Sequence, residues 1–204
     1  MKIAILTFDG FNEIDSFVAS GILNRMKKSG WRAEITCPAA SVTSMNGATV
    51  NAQRPLEFAA EADVVLFGSG IHMRAIAEDA ALLRRIRVDP SRQLVGAQCS
   101  GTLLLAKMGL LGNLPACTDS TTKPWVVEAG ARVIDASFVA AGNVATAGGC
   151  MSSQYLAAWV IARLAGFDAA AGALRYVAPV GEREAYVTRV LDVVRPFAAA
   201  ALPA

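Results

Sequence analysis

Short apolar runs, each cut off by glycine, proline or aspartate, alternate with longer stretches of helical periodicity, and this alternation constrains the fold more than anything else in the chain. Residues 2–7 read as a buried first strand halted by Asp9 and Gly10, and a helix follows over about 13–28 with Gly30 as its stop. Residues 32–37, 63–67 and 93–97 read as further core strands. Asn46-Gly47 marks a hairpin within 43–51, and 73–88 carries helical spacing. Residues 93–97 run directly into Gln98-Cys99-Ser100-Gly101 and an apolar helix over 102–108. Beyond these, 132–134, 137–141 and 143–146 read as strands, the last leading to Gly148-Gly149. Residues 152–164 and 182–194 read as helices, the second stopped by Pro196. Parallel strands need crossovers, and the crossovers here are helices. The expected architecture is therefore α/β, a doubly wound sandwich on a mainly parallel sheet.

The 204 residues suit one domain over 1–204, with the alanine-rich stretch 198–204 expected to fray. A hydrophobic share of 54% against 18% charged residues asks for a large core and leaves apolar surface for a subunit interface, so a homodimer is expected. Nineteen basic and 17 acidic residues are scattered without a polybasic block, which excludes a nucleic-acid footprint. The first apolar run is too short for a secretory segment or a membrane span, so the expected location is the cytoplasm, with no membrane partner. Cys37, Cys99, Cys117 and Cys150 share no CxxC spacing, and the single His72 leaves little for zinc, so no metal is expected. In a reducing compartment these cysteines are thiols, and a special one has to be found from its context.

Strand ends in an open α/β sheet converge on one crevice, and the loops 68–70, 99–101 and 148–150 all end strands there. Cys99 stands between a buried strand and a helix among small residues, the composition of a sharp nucleophile turn. A helix N-terminus favours the thiolate, and its amides, from Ser100 and from Gly70 across the crevice, suit an anion formed during attack. Taken alone, the pattern also fits an inert buried thiol. The first loop brings Asp15 within reach. Asp15 also reads as a helix-start residue, a role Glu13 could equally fill.

Residues 97–106 with Gly109-Leu110-Leu111 resemble the nucleophile segment of the DJ-1/PfpI superfamily, in particular its isocyanide hydratase-like branch. Glu13-Ile14-Asp15, after Phe8-Asp9-Gly10-Phe11, is similar to that branch's acidic residue, and Thr146-Ala147-Gly148-Gly149 to its late glycine loop. The resemblance implies a flavodoxin-like homodimer without metal or cofactor. It makes Cys99 the nucleophile and Asp15 its acid, with Gly70, Ser100, Gly149 and Cys150 around the anion and a small-molecule substrate. Where many members carry a histidine, this chain has Asp119, so a Cys-His protease dyad is not expected; His72 reads as an ordinary loop histidine. Cys150 replaces an aliphatic residue and reads as apolar packing or as a redox neighbour of Cys99.

Three functions compete. The first is hydration of an isocyanide to an N-substituted formamide, and the second is glyoxalase- or deglycase-like chemistry on α-oxoaldehydes. The third is a non-catalytic cysteine sensor.

Overall fold

The computed structural model describes residues 1–198. The order is β1 (Lys2–Leu6), α1 (Glu13–Leu23), β2 (Arg32–Cys37), β3 (Ser41–Thr43), β4 (Thr49–Asn51), β5 (Arg54–Pro55), β6 (Val64–Phe67), α2 (Met73–Glu78), α3 (Ala80–Arg85) and β7 (Leu94–Gln98). It continues with α4 (Thr102–Lys107), α5 (Lys123–Glu128), β8 (Phe138–Ala141), β9 (Val144–Ala147), α6 (Ser153–Ala165), α7 (Phe167–Val177) and α8 (Arg183–Val194).

The main sheet has seven strands in the order β5-β2-β1-β6-β7-β9-β8. All its pairings are parallel except that of β8 with β9. Counted along the chain, β1, β2, β6, β7 and β9 lie as 2-1-3-4-5, the doubly wound order of flavodoxin-like folds, whose crevice opens where the winding reverses, between β1 and β6.

Alternation along each strand divides the core in two. Ile3, Ile5, Val64, Leu66 and Leu94 face the layer of α1, α6, α7 and α8. Ala4, Leu6, Val65, Phe67, Val95 and Ala97 face the layer of α2, α4 and α5. Trp159 of α6 is fully buried, and its indole N–H donates to the Phe197 carbonyl at 3.2 Å, so the largest side chain leaves no polar atom unpaired. Each fully buried large apolar side chain contributes about 1.5–3 kcal/mol before entropy is charged against it.

Several elements depart from the sequence reading. The first helix ends at Leu23 and continues as a 3-10 turn over Asn24–Ser29 up to Gly30, whose φ is 80°. Asn24 causes the change: its amide donates to the carbonyls of Ser20 and Ala33 and its oxygen accepts from Ala33 N–H, tying the chain to β2 instead of the helix. The stretch 73–88 breaks at Asp79, whose carboxylate caps Ala81 and Leu82 and starts a second helix. Residues 132–134 form one bridge, Ala116 with Val133, in place of a strand. The two helices α5 and α7 were not expected. The expected hairpin is present as β3 and β4, and the alanine-rich tail beyond Ala198 lies outside the described residues. Among the described residues no helix is long and apolar enough to cross a membrane.

Candidate active site

β7 delivers the site. It is flanked on both sides by parallel strands and ends in a turn where Cys99 takes φ 50°, the only positive φ outside glycine among the described residues. That left-handed backbone costs a non-glycine residue about 1–2 kcal/mol and is the sharp elbow that lifts a side chain off the strand. The neighbouring glycines make room for it. A Cβ on Gly101 would lie 2.4 Å from the Gly68 carbonyl oxygen, and one on Gly70 2.4 Å from that of Gly10.

Cys99 lies in a cavity of about 320 Å³ whose walls also include Asn12, Gly70, Ser100, Asp119 and Trp125. That volume suits a small substrate. Asp15 is fully buried and off the wall, yet its carboxylate, the Cys99 sulfur and the Cys150 sulfur all lie within 4.8 Å of one another. The Ser69 hydroxyl donates to Asp15 Oδ2, leaving Oδ1 without a partner. Asn12, the α1 cap, donates its amide to Cys150 Sγ at 3.1 Å. Glu13 accepts from Ser44 and Asn46 and braces the β3–β4 hairpin, and His72 is an exposed residue at the start of α2. Gly149, with φ 87°, turns the chain into Cys150; neither residue lines the cavity.

Asp119 is the residue the sequence reading undervalued. The Cys99 thiol donates to its Oδ2 at 3.3 Å, while Oδ1 accepts from the amides of Thr121 and Thr122 at 2.9 Å and opens the turn into α5. Its segment is bolted to the elbow. Thr118 Oγ1 donates to the Cys99 carbonyl, Thr102 Oγ1 to that of Cys117, and Cys117 N–H to Thr146 Oγ1. The signal was available: Asp119-Ser120-Thr121-Thr122 before Lys123-Pro124 is a helix-entry pattern that holds a carboxylate in place.

The electrostatics reverse one expectation. Burial, followed by the charges of Asp15 and Asp119, pushes the Cys99 thiol well above the usual thiol range, whereas a helix N-terminus was expected to lower it. The helix behind it is only six residues long and is entered through a 3-10 turn, so its dipole is small against two nearby carboxyls. Burial raises Asp15 to about 6, with the Ser69 hydrogen bond opposing and the Asp119 charge adding. Burial also acts to raise Asp119, but hydrogen bonds from Thr122 and Cys99 outweigh it and hold this carboxyl below the usual range. The Gly70 amide donates to Ser100 Oγ at 3.1 Å, and the Ser100 hydroxyl is close enough to Gly70 O, 3.2 Å, to return the bond. In this resting geometry the Gly70 N–H is engaged, while the Ser100 N–H heads a helical turn that offers it no carbonyl.

A model of the DJ-1/PfpI family matches residues 1–163. Among solved structures, Schizosaccharomyces pombe DJ-1 is similar at 16% identity and TM-score 0.74, covering 88% of this chain and 100% of that one. A ThiJ/PfpI family protein from Pseudomonas syringae is similar at 22% identity and TM-score 0.74, covering 97% and 89%. Drosophila melanogaster DJ-1beta is similar at 20% identity and TM-score 0.72, covering 86% and 96%. No curated protein matches the sequence significantly.

Proposed function

The chain belongs to the DJ-1/PfpI family, and from that premise we propose that it hydrates a small carbon electrophile through Cys99, an isocyanide giving an N-substituted formamide. One observation carries the reading: two carboxyls with oppositely shifted proton affinities flank a single elbow sulfur in a small cavity. Such a pair divides the acid and base roles between its members.

Asp119, the ionised one, accepts the thiol proton as Cys99 Sγ bonds to the isocyanide carbon, so no free thiolate has to persist at rest. The carbon gains a proton from Asp15, giving a thioimidate. Water adds to that carbon, giving one proton back to Asp15 while Asp119 passes the proton it took from the thiol to the nitrogen; the C–S bond then breaks, the hydroxyl proton goes to sulfur, and the formamide leaves. An affinity near 6 lets Asp15 both give and take a proton close to neutrality. The Ser100 N–H and hydroxyl are the donors this reading assigns to the developing charge.

We propose further that the chain works as a homodimer, supported by an exposed apolar strip of Ile14, Phe17, Met151 and Val177 alongside the α1 surface. The test of function is an ultraviolet assay of wild type and Cys99→Ala with an alkyl isocyanide. Formamide from wild type alone supports the reading. Cys99-dependent loss of methylglyoxal with no formamide replaces it by glyoxalase-like chemistry, and peroxide oxidation of Cys99 with no turnover of either replaces it by a sensor.

A further inference from the structure

We infer that Asp15 Oδ1, Cys99 Sγ and Cys150 Sγ form a three-ligand site for a thiophilic divalent cation of the zinc class, and that this cation and the nucleophilic use of Cys99 exclude each other. The two sulfurs and a carboxylate oxygen of Asp15 already lie within 4.8 Å of one another, although the residues are far apart in sequence. Tetrahedral zinc holds two sulfurs and a carboxylate oxygen about 3.6–3.8 Å apart, so a contraction of at most about 1 Å completes the set. Two thiolates and one carboxylate are the donors such an ion selects, and three protein ligands leave a fourth position for water.

Independent of that spacing, Asp15 is fully buried and its Oδ1 has no hydrogen-bond partner, an expensive state for a carboxylate that has a purpose if Oδ1 is a ligand. Its other oxygen is held by the Ser69 hydroxyl, and Cys150 Sγ by the Asn12 amide, so two of the three ligands are aimed by neighbours of the kind that orient metal ligands. The ion pairs among the described residues all join other side chains, so no protein cation occupies this anionic corner. Binding replaces the two thiol protons, and any proton on Asp15, with one ion. Binding stands apart from the isocyanide reading; only the block of turnover rests on it.

The test titrates the reduced full chain with Co²⁺ and follows thiolate-to-cobalt charge-transfer absorption, then displaces the band with Zn²⁺. Wild type is expected to bind one ion with the intensity of two thiolates. Cys150→Ser is expected to lose about half the intensity and to bind at least about 100-fold more weakly, beyond the range of lost outer partners, whereas Cys37→Ser changes neither. No band in wild type, or a full band in Cys150→Ser, overturns the site. Should the variants fail to fold, wild type decides alone: bound Zn²⁺ is expected to protect both Cys99 and Cys150 from iodoacetamide by mass spectrometry, and undiminished labelling of Cys150 overturns it. If Co²⁺ binds and no isocyanide is hydrated, the catalytic reading has failed and the metal site stands.

Discussion

At Cys99 the thiol is held protonated and reactive only in company, because its acceptor is a carboxylate and not a helix dipole. Asp119→Asn removes both the proton acceptor and a negative charge, and the two losses act in opposite directions. Turnover is expected to fall by about 10²–10⁴-fold, while iodoacetamide modification of Cys99 shifts to lower pH; parallel falls in both rates would deny Asp119 its role as base. Asp15 carries a stability signature of its own. Its affinity is raised from 3.8 to about 6, so the folded chain keeps this proton where the unfolded chain has released it, and stability falls as pH rises from about 4 to 6 and stays lower above. Asp15→Asn escapes that loss. It is expected to stabilise the fold at pH 7 by up to about 3 kcal/mol and to have no effect at pH 3, by urea melts at both values, while turnover loses its limb near pH 6. Cys99 and the Gly70–Ser100 pair could be singled out as candidates because glycines and turn residues surround them, and Asp15 because it opens the helix after the first strand's loop. Asp119 was read only as a missing histidine, and its contact with the sulfur depends on Thr102, Thr118 and Thr146, which no local spacing ties together.

Among the elements, the elbow tolerates nothing larger than what it has. Gly101→Ala drives a Cβ against the Gly68 and Phe67 carbonyl oxygens at 2.4 and 2.7 Å. It is expected to cost about 1–3 kcal/mol in denaturant melts and to displace the sulfur, cutting turnover more than stability alone explains. Gly172, exposed on α7 with nothing within 4 Å of a Cβ, gives the opposite result: Gly172→Ala is expected to stabilise by about 0.5–1 kcal/mol. The central strands could be read because a strand buried on both faces is a short apolar run with a hard stop, as at Asp9-Gly10 and Gly68. The α7 helix was not read although Ala170, Ala173 and Leu174 bury one face of it, since Gly166 and Gly172 punctuate the stretch. Asp79 likewise looked like one more polar residue in a periodic stretch, until its carboxylate was found capping the next turn.

On the scale of the molecule, the exposed Phe17 and Met151 lie near the Cys150 turn. If a second copy covers them, light scattering after gel filtration gives a dimer mass and Phe17→Asp gives a monomer; a monomeric wild type removes the homodimer from the proposal. The mainly parallel sheet was foreseeable from alternating strands and helices, and edge strand β8 from the run 137–141, whereas the two-residue β5 at the other edge carries too few residues to announce itself. Because β7 is paired on both sides, the sulfur is mounted on interior strands and not on a rim. Amide hydrogens of residues 94–98 should therefore exchange with solvent only when the entire molecule opens, and heat should extinguish activity and structure along one curve, with no partly melted species that has lost its chemistry alone.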